Sequence, residues 1–271
     1  EKKRKQEAIN AAMSKIKHVI AVASGKGGVG KSTVAANVAL SLAKKGYRVG
    51  LADADIYGPS VPTLFNIENE QIMVTEVDGK QLMVPFEKYG IKMMSVGFFV
   101  DKDKPMLWRG PMAANTLTQM LTETHWGELD FMVLDMPPGT GDIQLTLVQQ
   151  FSVSGSIFVC TPQQLAVADV RRAVNMFKND QVAVPIIGLV ENMAYFTPRE
   201  LPDNKYYIFG KGGGEALAKE LDLELIAQIP ISMDISETND TGNPIALDFS
   251  SPEAECFMEL ADKITSKTIK K

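Results

Sequence analysis

The chain of 271 residues is poor in the side chains that build covalent staples and compact metal sites. Its two cysteines, Cys160 and Cys256, lie far apart. That excludes a disulfide framework and suits buried thiols in a reduced cytoplasm. The two histidines, His18 and His125, stand alone without metal-ligand spacing. No apolar run approaches the roughly 18–20 residues of a membrane span, and no signal-like apolar stretch follows the charged first residues. An excess of positive charge is missing too: the net charge of −5 argues against a broad nucleic-acid surface and leaves no membrane partner in view. What the chain does have is 45% apolar residues, enough for the core of one large α/β domain.

The stretch that organises this composition runs from Gly25 to Thr33. Gly25, Lys26, Gly27, Gly28, Val29, Gly30, Lys31 and Ser32 satisfy G-x-x-x-x-G-K-[ST], the phosphate-binding P-loop. An apolar run, Val19 to Ala23, precedes it and reads as a buried strand. Val34 to Ala43 follows and reads as a buried helix. The inner glycines let the backbone curl so that its N–H groups face phosphate oxygens, and the positive end of the helix points the same way. Lys31 is then expected at the β- and γ-phosphates, and the Ser32 hydroxyl at Mg²⁺. The cofactors implied are ATP and Mg²⁺.

Two further strands deliver carboxylates to the same crevice. Arg48 to Ala52 runs into Asp53-Ala54-Asp55, which places Asp55 to orient the attacking water and Asp53 to support Mg²⁺ or the loop. Leu129 to Asp135 ends in Asp135-Met136-Pro137-Pro138-Gly139, a Walker B arrangement in which Asp135 holds Mg²⁺ through water. The Pro-Pro-Gly turn reads as a switch whose Gly139 N–H could sense a γ-phosphate.

The rest of the chain supplies scaffold. Residues 1–17 read as a basic helical linker stub, and 18–271 as the ATPase domain. Short alternating segments at 72–74, 81–84 and 91–96 suggest hairpin strands that extend the sheet, with Met73, Met83, Met93 and Met94 filling core gaps. Trp108-Arg109-Gly110-Pro111-Met112 opens a helix to about residue 123. Strands follow at 155–161, 184–190 and 225–229, and a last helix at 252–266 carries Cys256, Phe257, Leu260, Ala261 and Ile264 on one face. Asn192 stands where it could meet an adenine edge, and the loop after Pro230 could flank the base. Gly210 to Gly214 lacks the last glycine of a dinucleotide motif and reads as a flexible surface loop.

Lys26, directly after the first glycine, resembles the deviant P-loop of the MinD/ParA/nitrogenase-iron-protein class, in which this lysine crosses a dimer interface to the partner's phosphates. The motifs together resemble one family over nearly the whole chain: the Mrp/ApbC/Nbp-type P-loop ATPases, regarded as iron–sulfur cluster carriers. The resemblance rests on 25–33, Asp53 to Ser60, Trp108 to Met112, Asp135 to Asp142, Thr161-Pro162-Gln163, Glu191-Asn192-Met193 and Ile208-Phe209-Gly210. It implies a doubly wound, mostly parallel α/β sheet flanked by helices. It also implies a homodimer with ATP near the interface, Lys26 acting in trans, and Asn192 and the Pro230 loop around adenine. Many members carry a small α/β domain before the ATPase, which would account for a helical stub. Members usually carry Cys-x-x-Cys shortly after Glu-Asn-Met; here Ala194 to Tyr206 contains no cysteine, so no iron–sulfur ligands are identified. The expected function is an ATP-hydrolysing dimeric carrier serving iron–sulfur scaffold or apo-protein clients. The alternative is a MinD/ParA-like switch that recruits proteins without a cluster.

Overall fold

The computed structural model describes residues 2–99 and 110–269. Trp108 and Arg109 lie outside the described residues, while the helix they were expected to open, α4 (Gly110–Thr122), is present. Eight strands form the main sheet: β1 (Ile16–Ser24), β2 (Val49–Asp53), β5 (Phe86–Lys88), β6 (Ile91–Ser95), β7 (Leu129–Asp135), β8 (Gly155–Cys160), β9 (Ile186–Glu191) and β10 (Leu225–Gln228). Their order is β10-β9-β8-β1-β7-β2-β6-β5. Every neighbouring pair is parallel except β5 with β6.

A parallel sheet covered on both faces needs strands that are apolar on both sides. β1 meets that requirement by alternation: Ile20 and Val22 enter one core, Ala21 and Ala23 the other. The first core is shared by α2 (Lys31–Lys44) and α9 (Pro252–Thr268), and the second by α4, α5 (Asp142–Gln150) and α6 (Gln164–Lys178). Helix α1 (Lys2–Met13) buries Ile9 in the second core. Helix α9 begins at Pro252 behind Ser251, whose hydroxyl accepts the Ala254 N–H at 3.0 Å, and it buries Phe257, Leu260, Ala261 and Ile264. Cys256 falls beside that stripe and is half-buried.

Two expectations are corrected. The strands β3 (Val74–Val77) and β4 (Lys80–Met83) form their own two-stranded sheet, so only the third segment, β6, extends the main one. Met73 accordingly does not fill the core: it stands beside this outlying hairpin and is exposed, whereas Met93 and Met94 on β6 are fully buried. Alternation identifies a strand but carries no information about which sheet it joins.

Consecutive strands β7 and β8 lie on opposite sides of β1. A sheet that reverses direction of build at its centre opens a crevice at the carboxyl ends of its strands. Ser24, Asp53 and Asp135 end three neighbouring strands there.

Candidate functional site

The loop between β1 and α2 takes its shape from Gly28 and Gly30, whose φ of 79° and 80° are left-handed values that favour glycine. A Cβ on Gly27 or Gly28 would meet nothing within 4 Å, so the inner side of this curl is open. Gly30 caps α2 without any side chain satisfying the first N–H groups, which leaves these donors for an anion. Elsewhere the loop is clamped. Val29 is buried, and its carbonyl accepts the Asn192 amide at 2.8 Å. A Cβ on Gly30 would come within 2.2 Å of that amide nitrogen. Thr33 accepts from Asn239, on α8 (Met233–Asp240), at 3.1 Å.

Lys31 is buried at the centre. Its ammonium donates to Asp135 Oδ1 at 2.5 Å and lies 3.3 Å from Asp55 Oδ2. Burial pulls the pKa of this lysine down, but the charges of Asp135 and Asp55 outweigh it and leave the pKa raised. Asp135 is fully buried, and burial pushes its carboxyl up against the opposing pull of Lys31 and Ser32. Its second oxygen, Oδ2, is buried without a partner. A carboxylate oxygen of this kind beside the Ser32 hydroxyl is a fitting donor set for a hard, hydrated divalent cation.

Asp53 is tied into the loop that follows it. Its Oδ1 accepts the Asp55 N–H at 3.1 Å; its Oδ2 accepts from the N–H of Ser60 at 3.0 Å, the N–H of Val61 at 3.1 Å and the Ser95 hydroxyl at 2.9 Å. Burial, helped by the charge of Asp135, pushes Asp53 up to about 7. With four donors on its carboxylate, Asp53 braces the turn that presents Asp55. Asp55 itself accepts the Tyr57 N–H at 3.1 Å.

The Pro137-Pro138-Gly139 turn packs against the root of the P-loop, where the Gly139 N–H donates to the Ser24 carbonyl at 3.0 Å. The Gln144 amide donates to the Pro137 carbonyl. The side chain of Lys26 has no hydrogen bond or ion pair among the described residues. Asn192 joins the loop, and Pro230 follows the strand beside it. It lines a cavity of about 450 Å³ with Phe196, Arg199, Met233 and Cys256, whose walls include no residue of the P-loop.

Around that cavity the segment after Met193 is folded, not free. Phe196 and Tyr206 exchange backbone hydrogen bonds at 2.8 Å, Arg199 pairs with Asp234, and the Lys205 ammonium lies 4.0 Å from the Tyr195 ring centre. The glycine run at 210–214, expected as a flexible loop, is seated at its far end. A Cβ on Gly213 would lie 2.2 Å from the Pro162 carbonyl oxygen, and the Gly214 N–H donates to buried Glu191 at 2.7 Å. Burial and the Glu191 charge push the Cys160 thiol up to about 12, and burial raises Cys256 as well. Among the described residues no three His, Cys, Asp or Glu side chains gather to hold a metal.

Sequence reasoning missed Ser24 and Asn239, and gave Glu191 no task beyond its place in a motif. Position is a signal for two of them, since Ser24 and Glu191 sit at the ends of strands that border the crevice.

A glycine curl between strand and helix, with lysine and carboxylates converging on it, defines a P-loop NTPase. Residues 15–265 match the ParA family in the branch described as NUBPL iron-transfer P-loop NTPase, and the chain belongs to that family. It is 49% identical over 257 residues to an iron–sulfur cluster carrier protein of Aquifex aeolicus, covering 94% of this chain and 68% of that one. A nucleotide-binding protein from Archaeoglobus fulgidus, solved with ADP, superposes with a TM-score of 0.77 at 38% identity, over 92% of this chain and 94% of that chain. The MinD cell division protein of Aquifex aeolicus has the same fold, with a TM-score of 0.63 at 20% identity over 93% and 99% of the two chains.

Proposed function

We propose that this chain binds and hydrolyses ATP as a homodimer and couples that cycle to the assembly or transfer of iron–sulfur clusters. The observation that carries the ATPase is Lys31, buried between Asp135 and Asp55 at the open side of the glycine curl. The P-loop N–H groups would bind the phosphates, and Lys31 would exchange its carboxylates for the β- and γ-oxygens. Ser32 and Asp135 would hold Mg²⁺, which supplies charge neutralisation on the phosphates. Asp55, braced by Asp53, orients the attacking water, and the Gly139 N–H answers to the terminal phosphate. Lys26, whose side chain has no hydrogen bond or ion pair among the described residues, reaches the phosphates of the second copy. Asn192 keeps the P-loop in shape from the adenine side.

The carrier role is supported by family membership and by the relatives' names. Segment 194–206 contributes no thiolate to that cargo, and the two cysteines of the chain are a buried thiol and a half-buried one. The clients are apo-proteins or scaffolds that supply sulfur ligands of their own.

Two experiments test the two halves. ATP turnover should be lost in Lys31→Ala and Asp55→Ala; unchanged turnover in both refutes the assigned roles. Anaerobic reconstitution with iron and sulfide, with and without ATP and an apo-protein acceptor, tests the cargo. Cluster appearing in the acceptor only with ATP present supports the carrier, and ATP-independent transfer counts against it.

A further inference from the structure

We propose that Ser24 is a positioning residue for Lys26 and that it ties that position to the switch turn. The inference rests on the role given to Lys26 above. Ser24 closes β1 and is fully buried, paired in register with Val159 of β8. Its hydroxyl donates to the Lys26 carbonyl at 2.9 Å. Its own carbonyl accepts the Gly139 N–H at 3.0 Å. The residue between Ser24 and Lys26 is held from the other side: a Cβ on Gly25 would lie 2.2 Å from the backbone carbon of Asp169 in α6. The backbone under Lys26 is therefore fixed by strand pairing, by a helix wall and by one hydroxyl.

Beyond that backbone the lysine side chain has no hydrogen bond or ion pair among the described residues. A flexible four-carbon stem takes its mean direction from the backbone that carries it, so a small shift at the carbonyl is amplified at the ammonium. The Gly139 N–H cannot serve two acceptors fully at once. Turning to a terminal phosphate, it unloads the Ser24 carbonyl, and that peptide plane leads through Gly25 to Lys26. Ser24 thereby joins the element that senses the γ-phosphate to the cation that acts across the dimer.

The test compares steady-state ATP turnover and fluorescent-ADP binding in the whole chain for Ser24→Ala, Ser24→Thr and Lys26→Ala. Ser24→Ala should lower kcat roughly ten- to a hundredfold, as a small misplacement of a catalytic group does. KM and ADP affinity should stay within about twofold, because the P-loop cradle is untouched. Ser24→Thr keeps the hydroxyl and should restore most of kcat. Wild-type turnover in Ser24→Ala beside an inactive Lys26→Ala overturns the inference and leaves the role of Lys26 standing. Wild-type turnover in Lys26→Ala removes that role and the inference with it. If Ser24→Ala loses kcat and ADP affinity together, Ser24 is a structural support only and the inference fails. Should Ser24→Ala not fold, Ser24→Cys keeps the size with a weak donor and is held to the same outcomes.

Discussion

The two sides of the Asn192 turn are built on different principles. On the P-loop side, a few polar groups are buried at high electrostatic stakes: one ammonium, Lys31, against the carboxylates of Asp135, Asp55 and Asp53. On the side of segment 194–214, order comes from close packing of small residues and from exposed contacts, such as the Arg199–Asp234 pair and the Lys205–Tyr195 stack. Loss of a single group should therefore be severe on the first side and mild on the second, where the load is shared. Glu191 and Asn192 join the two, one bonded to Gly214 and the other to Val29.

The largest effect is expected at Lys31. Lys31→Ala strands buried carboxylates without their cation, a change of the kind that costs about 3–5 kcal/mol, and ATP turnover should become undetectable. Chemical denaturation and a phosphate-release assay measure both. A variant with wild-type stability would mean that the carboxylates are not charged together. Next comes the hinge between the regions. Asn192→Ala removes the amide that holds the Val29 carbonyl and should weaken nucleotide binding by roughly tenfold, the equivalent of about 1.4 kcal/mol.

Gly213→Ala probes the packed side. Its Cβ has to displace the Pro162 carbonyl, so a loss of about 1–3 kcal/mol in stability is expected while KM for ATP is unchanged. A raised KM would show that the two regions are not independent and would break the contrast drawn here. Arg199→Ala, an exposed pair, should cost under about 1 kcal/mol. Least visible is the thiol chemistry. With its pKa raised to about 12, Cys160 stays protonated at pH 8 and should resist iodoacetamide in the folded protein. Mass spectrometry after brief alkylation would reveal a modified Cys160 if its burial were transient.

How much of this could be read in the sequence divides along the same line. The P-loop and the carboxylates of Asp53, Asp55 and Asp135 were legible because each is a local pattern, a glycine spacing or an acid at the end of an apolar strand. Asp53 was read with two tasks, and the four donors that tie it into the loop come from residues whose pairing with it no local pattern announces. The clamp of Asn192 on Val29 joins residues 163 apart, and the Gly214–Glu191 bond joins segments with no shared motif. Such contacts leave no spacing to detect. Gly210 to Gly214 was legible as a loop except at its far end: glycine serves flexibility and close approach equally well, and the sequence does not say which. Pro230 was expected beside the nucleotide, and the cavity it lines with Phe196 and Arg199 brings together segments that no local pattern links.

The cluster around Lys31 also has a meaning in the vocabulary of ion exchange. Three carboxylates facing one ammonium make a resin with two spare negative sites when all are ionised. A divalent cation restores neutrality, whereas a polyphosphate arriving alone would add to the surplus. Nucleotide and metal should therefore load as a neutralising pair, and chelating the metal should weaken nucleotide retention more than any loss of direct phosphate contacts would suggest.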